Sequence, residues 1–330
     1  MRFPGRHFVI GTCLGLIALA AGASTSASAQ EDPSKYPTRP IHLVVGFAAG
    51  GGNDIIARIF GQKLSESLGQ PVIIENRPGA GAIVAMEHVA KSAPDGYTLL
   101  VSASGIAINS AVYAKLPYDA VRDFVAISEL AAFPLILIVN AASPIKSAAE
   151  LVAYAKANPD KTNYASSSAT FQLVTELFKQ KTGAPMQVIP YKSATESVTA
   201  VIAGQVTATI ADAGPVLSQV QGGHVRALAI ASPRRMPELP DVPTLKEQGT
   251  DVDGDLWTGV FAPGGTPPAV VRKLEGEFVR IAQLPDVIAR LKPLGVNTVG
   301  NSSEAFTRIL AADIIRWGEV AKAGNIRIEQ

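Results

Sequence analysis

The stretch from Ile41 to Phe60 constrains this fold more than any other. Ile41, Leu43, Val44 and Val45 make an apolar run of strand length, which gives way at Gly50-Gly51-Gly52 to apolar residues at helical spacing, Ile56, Ile59, Phe60 and Leu64. This order predicts a strand, a glycine loop and a helix. Asn53 is placed to cap that helix and Asp54 to favour its positive end, where free N–H groups attract anions. The loop is not a dinucleotide fingerprint: Ile55 stands where Gly-x-Gly-x-x-Gly needs its third glycine, although Glu75 lies about where a ribose-binding acid would. It is not a P-loop either, since Gly-Lys-Ser/Thr is absent. A tight turn with no ligand remains the alternative to an anion site.

The same alternation continues. A strand at 72–75, a loop at 76–81 and a helix at 83–92 are followed by a strand at 97–101 and the small loop Ser102-Ala103-Ser104-Gly105. Such a pattern predicts an α/β fold built on parallel strands with helices on both faces, and ligand loops beyond the strands' carboxyl ends. A second unit at 132–255 repeats it, with strands at 135–139, 163–165, 186–189, 206–211 and 225–231 and helices at 147–158, 171–182 and 195–203. Residues 166–170 form its small polar loop, and Asp212 closes its fourth strand. A strand at 257–262 then leads out to three helices, 268–282, 286–294 and 304–322, which must pack on a sheet already made. Lobe 1 is therefore expected to be discontinuous, 30–131 plus 256–330, and lobe 2 to be 132–255. The crossings near Ala131 and Asp255 would act as a hinge.

Arg2 and Arg6 precede an apolar stretch at 8–21 and a small-residue run ending Ala27-Ser28-Ala29, which reads as a cleavable signal peptide over 1–29. No later segment reaches the roughly 18 apolar residues of a membrane span. The one cysteine, Cys13, lies in the leader, so the exported chain has no disulfide, thiolate metal site or cysteine nucleophile. The formal charge is +1, and without Arg2 and Arg6 the count is 27 Lys and Arg against 28 Asp and Glu. Near neutrality without a basic run argues against nucleic acid or a membrane surface as partner. His42, His88 and His224 are scattered without metal-ligand spacing, so neither a metal nor a cofactor is expected. Ser102-Ala103-Ser104-Gly105 is not the Gly-x-Ser-x-Gly elbow; an exported serine-type hydrolase stays as the alternative to a binding protein.

Several short motifs recur in order along the chain: Gly50-Gly51-Gly52-Asn53-Asp54, Glu75-Asn76-Arg77-Pro78-Gly79-Ala80-Gly81, Pro94-Asp95-Gly96-Tyr97, Pro190-Tyr191-Lys192, Leu239-Pro240-Asp241-Val242-Pro243 and Phe261-Ala262-Pro263-Gly264-Gly265. In them the chain resembles the Bug-type extracytoplasmic solute-binding receptors of tripartite tricarboxylate transporters. The resemblance implies a type II periplasmic-binding-protein fold, two α/β lobes joined by a two-crossing hinge, closing in Venus-flytrap fashion on a small organic acid. It also implies a monomeric periplasmic protein, not an enzyme, that serves the membrane permease subunits of such a transporter, or a sensor. The family's ligand loops fall on Phe47, Gly51, Gly52, Asn53 and Asp54, with Ala80, Ser102 and Ser104 beside them, and in the second lobe on Ser166, Ser167, Ser168 and Thr170, with Asp212 near the cleft floor. Phe47 could cover a ligand's carbon skeleton or simply end its strand's core. Asp212 could accept from a ligand hydroxyl or amine or only bond local amides. The second-lobe loop departs from the family in lacking glycine and in running on to Phe171-Gln172-Leu173, and Ser193 follows Tyr191-Lys192 where glycine is usual.

Overall fold

A strand at Ile41–Val45 (β1) passes through the glycine loop into a helix at Gly52–Leu68 (α1), in the order the apolar spacing dictates. The structure, a computed structural model, describes residues 35–328, and the expected signal peptide lies outside them. The stripe Ile56, Ile59, Phe60 and Leu64 is buried against Ile41 and Leu43; burying one such side chain stabilises by about 1.5–3 kcal/mol. Gly69, at φ 67°, ends α1 in the left-handed conformation that glycine adopts without strain.

The chain continues through β2 (Val72–Asn76), α2 (Ile83–Ala90), β3 (Thr98–Ala103), α3 (Gly105–Val112) and β4 (Phe124–Phe133). Then come β5 (Leu135–Asn140), α4 (Ala148–Ala157), β6 (Asn163–Ser166), α5 (Ala169–Thr182), β7 (Gln187–Pro190), α6 (Ala194–Ile202), β8 (Ala208–Asp212), α7 (Ala213–Gln221) and β9 (Val225–Ala231). The last part holds β10 (Leu256–Pro263), α8 (Pro268–Ala282), α9 (Pro285–Leu291), β11 (Asn297–Thr298) and α10 (Ser303–Ala323). Two sheets result, ordered β11-β4-β10-β3-β1-β2 and β7-β6-β8-β5-β9.

Neither sheet is purely parallel, which corrects the expectation from alternation. Strand β10 returns from the second sheet and enters the first between β3 and β4, antiparallel to both. Strand β5 leaves β4 after Pro134 alone and runs antiparallel to β8 and β9. Three longer elements escaped the sequence reading. Helix α3 is apolar nearly all round and buried, so it has no amphipathic stripe; α7 begins Ala-Gly-Pro; β4 mixes Ala, Ser and Glu into its apolar positions.

The topology has one consequence for function. The carboxyl ends of β1 to β4 share an edge with the start of β10, and β6, β8 and β9 end on the edge where β5 begins. Phe133 pairs with Leu256, and Leu135 lies opposite Asp212. Both edges that can carry ligand loops therefore meet the segments where the chain crosses between sheets. Helix α10 packs on α3, β4 and α5, and Gln180 Nε2 donates to the Val320 carbonyl at 3.1 Å. One apolar cluster accordingly runs from Phe261 and Trp257 through Phe306 to Leu135, Leu173 and Val174.

Candidate ligand-binding cleft

Asn53 was expected to cap α1, but the N-cap is Gly51 and no side chain caps this helix. The helix begins earlier than the asparagine, and the Asn53 side chain is used elsewhere: its Oδ1 accepts from the Thr258 hydroxyl at 2.5 Å. Thr258 lies opposite Ala103, and the Ser104 N–H donates to the Trp257 carbonyl at 2.9 Å. Strand β10 thus ties the start of α1 to the start of α3. Asp54 is only 2% exposed and fully engaged: Oδ2 accepts from the Gly50 N–H (2.8 Å) and Arg58 Nε (2.9 Å), and Oδ1 from Asn76 Nδ2 (2.9 Å). Burial pushes its carboxyl up, but Arg58, the Gly50 N–H and Asn76 outweigh this and hold it below the ordinary value. Asn76 also donates to the Phe47 carbonyl at 3.0 Å, while the Phe47 ring stands 36% exposed at the loop mouth.

Ser102 and Ser104 are buried, and the Ser102 hydroxyl donates to the Ala103 carbonyl. Ala80 lies in the turn before α2. It lines a separate cavity of about 740 Å³ with Ile83, Tyr113 and Lys115, in a turn where Ala80, Gly81 and Ala82 all have positive φ. That turn needs Gly46 beneath it, since a Cβ there would come within 2.3 Å of Ala82 Cβ.

On the second sheet, Ser168 caps α5 by accepting from the Phe171 N–H, Ser166 Oγ donates to the Ser168 carbonyl, and Ser167 and Thr170 are half-buried beside them. A hydroxyl that caps a helix keeps its own hydrogen to donate. Asp212 ends β8 next to α7. Its Oδ1 is buried without a hydrogen-bond partner among the described residues, and burial pushes the carboxyl above its ordinary value. A cavity of about 290 Å³ is lined both by Gly52 at the start of α1 and by Asp212 at the end of β8, with Phe133 at the crossing and residues 293–296 closing the side. The 293–296 segment was not among the sequence candidates, because it read as the end of a helix. Arg77 and Lys192, which belong to the recurring motifs, are exposed, and Arg77 is paired with Glu75 at 3.1 Å.

Residues 56–326 match the model of the tripartite tricarboxylate transporter family receptor. The chain belongs to this family. The receptor is 34% identical to the protein BugT of Bordetella pertussis over 321 residues, which covers 96% of this chain and 97% of BugT. Among solved structures, Rpa4515 of R. palustris, with adipate, is 34% identical with a TM-score of 0.76, covering 88% of this chain and 99% of that one. MatC of Rhodopseudomonas palustris, with bound malate, is 31% identical with a TM-score of 0.71, covering 86% and 99%. The receptor therefore has the two-lobed α/β periplasmic-binding fold, and as a member of a solute-binding family it is not an enzyme, which removes the hydrolase alternative. Among the described residues no helix is long and apolar enough to cross a membrane.

Proposed function

We propose that this receptor captures a small carboxylate in a cleft between lobe 1, 30–131 plus 256–330, and lobe 2, 132–255, and presents it to the permease subunits of a tripartite tricarboxylate-type transporter. The observation that carries the reading is the cavity joining Gly52, at the open N–H end of α1, to Asp212 at the end of β8. The relatives solved with adipate and malate support an organic acid as the ligand class. The carboxylate is held by neutral donors: N–H groups at the start of α1, bridging water and, from the loop after β6, which does not itself line that cavity, the hydroxyls of Ser167 and Ser168. Export by the leader at 1–29 would place the receptor in the periplasm as a monomer, and intact mass of the exported protein beginning at Gln30 is the expected result. Calorimetry with a panel of mono- and dicarboxylates tests the whole reading: stoichiometric binding without consumption of ligand supports it, and no heat with any acid refutes it.

A further inference from the structure

The cavity that holds Asp212 has walls of one kind. Ile55, Ile56, Phe133, Pro293, Leu294 and Val296 line it, and among the described residues no Lys, Arg or His does. Its one charged group is the Asp212 carboxylate, whose buried Oδ1 has no partner. A buried acceptor is costly until something donates to it. An anion placed beside it would meet like charge, low dielectric and no cation. Asp212 is also the N-cap residue of α7, where its side chain makes no capping hydrogen bond.

We infer that Asp212 determines specificity by accepting a hydrogen bond from the ligand and excluding a second carboxylate, so that the receptor selects a monocarboxylic acid with an apolar body and a hydroxyl or amine at its far end. This rests on the carboxylate reading above. The acid group lies at the start of α1, the carbon chain runs along Ile55, Phe133 and Leu294, and the distal O–H or N–H reaches the Asp212 carboxylate. Such a selectivity disfavours adipate, the ligand of one relative, although the fold is shared.

Four acids of equal chain length decide the matter: hexanoate, 6-hydroxyhexanoate, 6-aminohexanoate and adipate, titrated at pH 8 into the wild type and Asp212→Asn. In the wild type the hydroxy and amino acids should each bind at least tenfold tighter than adipate. In Asp212→Asn, adipate should gain at least tenfold, 6-aminohexanoate should lose at least tenfold, and hexanoate should change by less than threefold. Adipate matching the hydroxy acid in the wild type, or an adipate preference unmoved by Asp212→Asn, overturns the inference and leaves a carboxylate receptor standing. No binding by any of the four overturns both together.

Discussion

Both oxygens of Asp54 are spent on the protein, on the Gly50 N–H, Arg58 and Asn76, so this residue acts on a ligand through the shape of the glycine loop. Asp54→Asn should loosen the loop and cost on the order of 1–3 kcal/mol in chemical denaturation at pH 7. Because the folded carboxyl lies below its ordinary value, this contribution is present above the unfolded pKa near 3.8 and is lost as pH falls through the lower folded value. Unchanged denaturation midpoints for Asp54→Asn would refute the tethering role. For the ligand itself, Ser167→Ala should cost about 1.5–3 kcal/mol in calorimetric affinity, as a lost hydrogen bond to a charged group does. Arg77→Ala should cost less, since that guanidinium is exposed and already paired with Glu75. The reverse ranking would mean a cationic clamp. The sequence showed the glycine loop and named Asp212, because motif and strand end are local features. It could not show that Asn53 meets Thr258, 205 positions away, or that an Asp212 oxygen is left without a donor.

Strands and helices were legible where period and punctuation agreed, as in α8, whose bounds Pro268–Ala282 match the apolar spacing after Thr266-Pro267. Direction was not legible, since the insertion of β10 between β3 and β4 depends on contacts far apart in sequence. That insertion creates a buried polar seam under α10. Asn301 Nδ2 donates to Glu129 at 2.9 Å, Trp257 Nε1 to Asp313 at 2.7 Å, Arg316 to Asp313 and the Asp253 carbonyl, and Ser232 to Asp255. Burial, partly offset by Asn301 and reinforced by Asp255, pushes Glu129 up to about 7, and Asp255 is raised to about 6, chiefly by burial. An acid with a raised folded pKa is most favourable to folding when protonated. Stability should therefore fall as pH rises from the unfolded value near 4.5 to about 7 and level off above it, by up to about 3 kcal/mol for Glu129. Thermal melts at pH 5 and pH 8 read this, and Glu129→Gln should narrow the gap between them. An equal gap in the variant would show that Glu129 does not titrate in this range.

At the scale of the molecule, two structural ties bear on the proposed closure of the lobes. Arg316 donates to the Asp253 carbonyl and Gln180 to the Val320 carbonyl, so helix α10 is bonded both to the segment before β10 and to α5. Gly295 approaches Ala213 so closely that a Cβ would sit 2.5 Å from the Ala213 methyl carbon, and its φ of 69° suits glycine. This contact joins the segment after α9 to the start of α7, and the proposed closure of the two lobes is expected to bring these segments together. A ligand that favours closure stabilises it by its differential affinity, and at about 100 times its Kd adds roughly 2.7 kcal/mol to the folded state. Gly295→Ala should hold the lobes apart, lowering affinity at least tenfold while its denaturant m-value stays that of the wild type. In solution scattering, saturating ligand should compact the wild type and leave Gly295→Ala nearer its ligand-free radius. Equal affinity and equal compaction in the two proteins would mean that closure does not pass through this contact.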